Sequence, residues 1–344
     1  MATIASIIAD IVSLSLEDRL ALKDRLIKTF TTHPSSMETF VKEERFSSGL
    51  ACPICGGMHI IRHGHRKDGT QRYLCRDCGK TFTATTNSIV SGTQKDFSVW
   101  EKFIDCMMNG FSLRKSANIC GIHRNTAFAW RHKILGALQN MAGSVTLDGI
   151  IEADETFFPL SYKGNHKHGA FKMPRKAHKR GHMTHIRGLS KEKVCVPCAV
   201  NRNGLSIARA TNLGRVATKD LHDLYDHRIA ENSTLVTDIM NSYTRFANKN
   251  GLDLIQLKGG RTKKGIYNIQ HINNYHRRLK QFLMPFNGVS TKHLNNYLIR
   301  HNFVNYAPES EVDKRAILLK FVLTQPMTIF CRDISKKPAL PFAA

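Results

Sequence analysis

The sequence predicts a multidomain fold in which two small N-terminal modules precede a larger α/β domain. Three observations carry the prediction. Two Cys-x-x-Cys pairs fall between residues 52 and 78, a helix-patterned run covers 97–140, and from residue 149 strand-like and helix-like segments alternate. At 344 residues the chain is too long for one ordinary domain.

Residues 1–46 read as two short helices. Ser15 followed by Asp18 resembles a capping box, and Leu16, Leu20, Leu22 and Ile27 supply an apolar stripe. This segment carries no recognisable chemistry and is expected to serve packing or assembly.

Residues 47–83 are predicted to be a zinc ribbon. Cys52 and Cys55 form one pair and Cys75 and Cys78 the other, with 19 residues between them. Each pair presents two thiolates on a tight turn, and two facing turns complete a tetrahedral S₄ site for structural Zn²⁺. Gly56 and Gly79 each follow a second cysteine, where a glycine eases the turn. Four reduced structural cysteines would not require that paired spacing. His59, His63 and His65 are alternative ligands, but four cysteines are the simpler set. A third pair, Cys195 and Cys198, lies in the strand-like run VCVPCAV without a partner pair, and is expected in the core.

The Thr/Ser-rich stretch 84–96 reads as a linker, and 97–140 as three helices. Within SLRKSANICGIHRNTAFAWRHKIL, Ser112 can cap a helix running to Ile119 and Ala117 permits a close crossing. Gly121 suits the turn, Ile122 plugs it, and a second helix runs from about His123 to Leu138. This is the pattern of a helix-turn-helix, which an ordinary three-helix bundle shares. If it is the former, His123, Arg124, Asn125 and Thr126 at the start of the second helix read base edges, and Arg131, His132 and Lys133 contact phosphates.

Charge favours the nucleic-acid reading. The chain holds 51 Lys and Arg against 27 Asp and Glu, a formal net charge of +24. Its pI near 9.9 points to a polyanionic partner. No apolar run approaches the roughly 18–20 residues that span a bilayer. The N-terminus lacks a basic region and carries Asp10 in its apolar stretch, so neither a membrane partner nor a signal peptide is expected. A cytoplasmic protein keeps its thiols reduced, which suits metal-ligating cysteines.

From residue 149 the runs GIIEADETFF, VCVPCAV and LSIARAT look like strands, and 218–230 like a helix. STLVTD and LDLIQL follow as short strands, and helices dominate from 271 onward, which suggests a mixed α/β domain. Residues 163–191 hold no acidic residue and have no clear period, so they read as a long basic functional loop. Residues 307–344 are expected to be a C-terminal helix and tail, frayed after Pro338.

Asp154 sits inside the strand-like IEADET, and Asp238 ends LVTD. Rigid carboxylates at strand ends are what metal-dependent nucleases use, and in so basic a chain the two together are suggestive. The segment HINNYHRRLK places Asn273 and Lys280 seven residues apart, nearly two helical turns, so both lie on one face. Between Asp238 and Asn273 lie 34 residues.

This Asp–Asp–Asn pattern with a lysine seven residues on resembles the DDE superfamily of insertion-sequence transposases. It is similar in particular to the branch with an N-terminal zinc ribbon, whose third ligand is Glu in some members and Asn in others. The stretches SLRKSANICGIHRNTAFAWRHKIL, YKGNHKHGAFKMPRKAHKRG and HINNYHRRLKQFLMPFNGVSTKHLNNYL share the resemblance, which covers roughly residues 50–306. It implies an RNase H-like core with a mixed sheet over about 149–306. It implies an active site of Asp154, Asp238, Asn273 and Lys280. Asn273 is the departure, a neutral ligand where Glu is commoner; Glu155 could add charge, although a strand neighbour of Asp154 should face the other way.

Two carboxylates and an amide oxygen are hard donors that suit Mg²⁺ or Mn²⁺. The expected partner is double-stranded DNA, as element ends and target, bound by a homo-oligomer. Arg175, Lys176, Lys179 and Arg180 of the basic stretch are expected along it. The competing readings are a non-enzymatic DNA-binding regulator, a nuclease that cuts without joining, and an inactive transposase copy.

Overall fold

In the computed structural model the described residues are 13–15, 18, 37–142, 145–165, 192–258, 263–306, 311–340 and 342. The chain divides into two compact units, Met1–Thr85 and Thr86–Ala344.

In the first unit, helix α1 (Met37–Arg45) buries Val41 and precedes a three-stranded antiparallel sheet. Its strands are β1 (Ile60–His65), β2 (Gln71–Cys75) and β3 (Thr81–Phe82), in that order. So small a sheet cannot make a large core, and the apolar cluster is correspondingly minimal: Cys52, Tyr73, Cys75 and Phe82, with Tyr73 stacked on Phe82 at 5.4 Å. The helices expected over 1–46 lie mostly outside the described residues. Within them Asp18 N donates to Ser15 Oγ (3.1 Å), the forward bond of the predicted capping box, and the Ser15 hydroxyl donates to Asp18 Oδ2 (2.7 Å).

The second unit begins with three helices, α2 (Phe97–Met108), α3 (Leu113–Cys120) and α4 (Arg124–Ala142). Ser112 Oγ accepts from Lys115 N at the start of α3, and Gly121 closes it at φ +59. Trp100 of α2 stacks on Trp130 of α4 at 3.7 Å, with Phe103 edge-on to the same indole. The Thr/Ser-rich stretch expected as a linker is irregular but not free. Ile89 and Val90 are buried, Ile89 O accepts from Lys133 Nζ, and Asn87 Oδ1 accepts from Thr328 Oγ1. Two apolar side chains within a polar run thus join these hydrogen bonds in anchoring it.

A six-stranded mixed sheet follows. Its strands are β4 (Ile150–Pro159), β5 (Lys193–Asn201), β6 (Ser206–Ala208), β7 (Asn212–Leu213), β8 (Thr234–Asp238) and β9 (Asp253–Leu257). The order is β6-β5-β4-β8-β9, with β7 beside β5. β5 is antiparallel to β4, β6 and β7, whereas β4, β8 and β9 run parallel. Helices cover both faces. Side chains of α5 (Thr218–Tyr225) and α6 (Asn241–Asn250) pack against Ile151, Ala153, Cys195, Ala199 and Leu235. Those of α7 (Gln270–Leu283) and α8 (Leu294–Tyr306) pack against Val194, Val196, Cys198 and Val200. Cys195 and Cys198 are thus core residues on opposite faces of β5, as their lack of a partner pair predicts.

A two-stranded hairpin, β10 (Lys263–Lys264) and β11 (Tyr267–Asn268), leads into α7. Helices α9 (Glu311–Thr324) and α10 (Cys331–Lys336) complete the unit. The end expected to fray is held: Ile334 is buried, and Phe342 packs against the α7–α8 cluster. Most of the basic stretch, residues 166–191 with Arg175, Lys176, Lys179 and Arg180, lies outside the described residues.

Candidate metal, catalytic and nucleic-acid sites

The cysteine pairs build two matching turns. Gly56 N donates to Cys52 O and Gly79 N to Cys75 O, both at 2.9 Å, and both glycines sit at positive φ. This symmetry brings the Sγ atoms of Cys52, Cys55, Cys75 and Cys78 within 4.8 Å of one another. It is the one such cluster of His, Cys, Asp and Glu among the described residues. Four convergent thiols with no competing nitrogen ligand fit a zinc ion. His59 is directed elsewhere, its Nδ1 paired with Asp77 Oδ1 at 2.7 Å.

Strand pairing brings the two aspartates together. β4 and β8 pair Ile150 with Thr234, Ile151 with Leu235 and Glu152 with Val236. The pairing ends there, and Asp154 and Asp238 follow on their strands two residues further on, in step with Glu152 and Val236, near enough for the charge of Asp238 to act on Asp154. Period-2 alternation fixes the face of Asp154: Ile151 and Ala153 turn toward α5 and α6, so Glu152 and Asp154 turn toward α7.

Burial raises both groups, and at Asp154 the charge of Asp238 adds to it. Asp154 is pushed up to about 6, first by desolvation and also by the charge of Asp238, against a stabilising bond from Glu155 N. Asp238 is raised by burial, with Arg215 opposing, and its Oδ1 is buried without a hydrogen-bond partner. Glu155 faces the other side of the sheet, as expected, beside Tyr243 of α6, and burial pushes it up to about 7. An orphaned carboxylate oxygen beside a second desolvated aspartate fits a bound cation.

Helix α7 presents its polar stripe to this pair. His276, three residues after Asn273 and four before Lys280, brings Nδ1 to 3.8 Å from Asp154 Oδ2. It is held neutral by burial and by the Lys280 charge, which push it down to about 4. Lys280 is exposed, and its charge also reaches Asp154. Asn273 is exposed in the first turn of the helix, and among the described residues no hydrogen bond joins its side chain to either aspartate. The structure thus brings Asp154, Asp238 and the Lys280 charge together and leaves Asn273 on the same stripe without a direct contact.

The sequence reading passed over two residues here. Glu152 lies two residues before Asp154 on the same strand face, and that spacing was the available signal. His276 shares the Asn273–Lys280 face by the same helical arithmetic that picked out the other two.

At the start of α4, His123, Arg124 and Asn125 are exposed and Thr126 is half-buried. His123 Nδ1 accepts from Asn125 N at 3.2 Å and so caps the helix. One turn further on, the expected phosphate contacts are not at the surface. Arg131 is buried and donates to Phe111 O at 2.6 Å, because it falls on the core side of α4. His132 is likewise buried, against His293, and pushed down to about 2. Lys133 is half-buried and spends its ammonium on Ile89 O.

Comparisons with known proteins link the chain to transposases of insertion sequences. Residues 146–304, which hold the whole six-stranded sheet and both aspartates, match the ISXO2-like transposase domain. A protein in transposable element ISH50 of Halobacterium salinarum (strain ATCC 700922 / JCM 11081 / NRC-1) is 24% identical over 276 residues. The match covers 79% of this chain and 90% of that one. The crystal structure of a pre-cleavage Mos1 transpososome aligns over 91% of this chain and 95% of that chain at 10% identity, with a TM-score of 0.20. A score so low carries no argument about the fold. No helix among the described residues is long and apolar enough to cross a membrane.

Proposed function

We propose that the chain binds the ends of an insertion sequence as double-stranded DNA and cuts and rejoins the strands at a divalent-metal site. The observation that carries this reading is the pair Asp154 and Asp238 on neighbouring parallel strands, both raised and one with an orphaned oxygen. The sheet, covered by helices on both faces, is read as the RNase H-like core.

Asp154 and Asp238 hold the metal, and Asn273 adds a neutral carbonyl donor to the shell. Bound Mg²⁺ or Mn²⁺ supplies Lewis acidity that activates water for cleavage and stabilises the leaving 3′ oxygen. Lys280, exposed on the helix stripe nearest Asp154, donates to a phosphate beside the scissile bond as a point charge. His276, neutral and buried beside Asp154, adds no positive charge to compete with the metal.

The rest of the chain delivers DNA to that site. Cys52, Cys55, Cys75 and Cys78 hold a structural Zn²⁺. The α3–α4 unit is a helix-turn-helix that reads sequence through His123, Arg124, Asn125 and Thr126. The basic stretch 163–191 runs along the phosphates, and copies of the chain pair two ends. The reading is tested by incubating the purified protein with DNA that carries its own element's ends and an unrelated target, in Mg²⁺. The expected product is a 3′ end cut from its flank and joined to target. Cleavage without joining would reduce the reading to a nuclease, and binding without cleavage would reduce it to a regulator.

A further inference from the structure

A buried carboxylate is unfavourable unless its lone pairs are filled, and the one on Glu152 is filled completely. Its side chain is 1% exposed. Oε2 accepts from the backbone N–H groups of His271 (2.8 Å) and Ile272 (3.1 Å), the first turn of α7. Oε1 accepts from His271 Nδ1 (2.8 Å) and Arg202 (3.1 Å). The same Arg202 nitrogen donates to Ile266 O (3.2 Å), at the turn of the hairpin that leads into α7. The residue in the cap position of α7, Ile269, offers no side-chain acceptor, so the sheet supplies the cap that the helix itself lacks. The negative charge also meets the positive end of the helix dipole.

We propose that Glu152 is a positioning residue for the active site. It fixes the start of α7 to the strand that carries Asp154, and so sets where Asn273 and Lys280 stand relative to the two aspartates. The geometry is direct. Glu152 and Asp154 are neighbours on one face of β4, and Asn273 follows the capped amides by one residue. A shift of the cap moves Asn273 first and, because a helix is stiff, Lys280 with it. Arg202 extends the same control to the hairpin, so helix and hairpin approach bound DNA as one piece.

The inference rests on the proposed function for its consequence but not for its first test. Hydrogen exchange, measured on the metal-free, DNA-free protein, should show the His271 and Ile272 amides of Glu152→Gln exchanging roughly tenfold or more faster than wild type, as expected when a bond to a charged acceptor is lost. Amides of β8 and α6 should be unchanged. The second test is a double-mutant cycle on Mg²⁺-dependent end cleavage. Glu152→Gln should lower the rate at undiminished DNA affinity, and should lower it much less when Asn273→Ala is already present. Unchanged exchange at the two amides would overturn the proposal, as would the same fold-loss in both backgrounds. If Glu152→Gln does not fold, Glu152→Asp, which keeps the charge but draws it back from the two amides, is held to the same two criteria. A chain that never cuts DNA would sink the functional reading while the exchange result still decides this one.

Discussion

Two carboxylates desolvated side by side oppose folding until a cation neutralises them, so removing one charge should stabilise the metal-free protein. Asp154→Asn is the cleanest perturbation, because the amide keeps an oxygen for the 2.8 Å bond from Glu155 N. The carboxyl stands at about 6 against an ordinary 3.8. At about 1.4 kcal/mol per unit, the ionised side chain costs the fold on the order of 3 kcal/mol. Asp154 is 27% exposed, and screening by solvent trims this to roughly 1–2 kcal/mol. The folded-state value is raised, so the penalty is full above about pH 6 and vanishes below about pH 4. In EDTA at pH 7.5, Asp154→Asn should therefore melt several degrees above wild type, at about 2–4 °C per kcal/mol for a unit of this size. The gap should shrink at pH 5. Adding Mg²⁺ should raise the wild-type Tm and do little for the variant. Thermal unfolding followed by circular dichroism reads all three. A variant that melts at or below wild type in EDTA, or a gap that ignores pH, would refute the reasoning.

Other consequences can be measured alongside it. Cys75→Ser should lose zinc by metal analysis and melt β1–β3, while the near-ultraviolet signal of Trp100 and Trp130, the chain's two tryptophans, persists. Zinc retained at full stoichiometry would contradict the four-thiol site. Arg124→Ala and Asn125→Ala should each weaken binding to element ends more than to random DNA, by roughly 1–3 kcal/mol per base contact, in a competition assay; equal losses on both would make them backbone contacts. His132, His293, His276 and His301 are pushed down to about 2, 3, 4 and 4 by burial. Their lowered values mean that stability is intact above pH 6.5 and falls below it, by up to about 2 kcal/mol for each histidine between pH 7 and pH 5. Urea midpoints should drop across that interval despite the relief of Asp154, and should drop less in His132→Gln; a midpoint that rises toward pH 5 would contradict the assignment.

Features set by local spacing were legible in the sequence. The cysteine pairs specify two turns and hence a convergent thiol cluster, and Ser112 and Gly121 bound α3 because capping and positive φ are local requirements. The strand runs around Asp154 and Asp238 were legible because both strands are buried and rich in apolar residues. Features set by tertiary context were not. Nothing local says which side of α4 faces the core, so Arg131 and His132 read as surface cations although they lie within it. A Thr/Ser-rich composition hides the fact that Ile89 and Val90 are buried and help to anchor the stretch after the ribbon. Glu152 reads as one more charge beside Asp154 until the α7 amides, more than a hundred residues away, are seen converging on it.

The proposed activity turns on whether Asp154 and Asp238 form the metal site at which DNA strands are cut and joined. One titration decides it: end cleavage and strand transfer by wild type, Asp154→Ala and Asp238→Ala across a range of Mg²⁺, with end binding followed on the same samples. The wild type should cut and join only with metal, and both variants should bind the ends as tightly as wild type while neither cutting nor joining at any Mg²⁺ concentration. Cleavage at the wild-type rate by either variant would contradict the account.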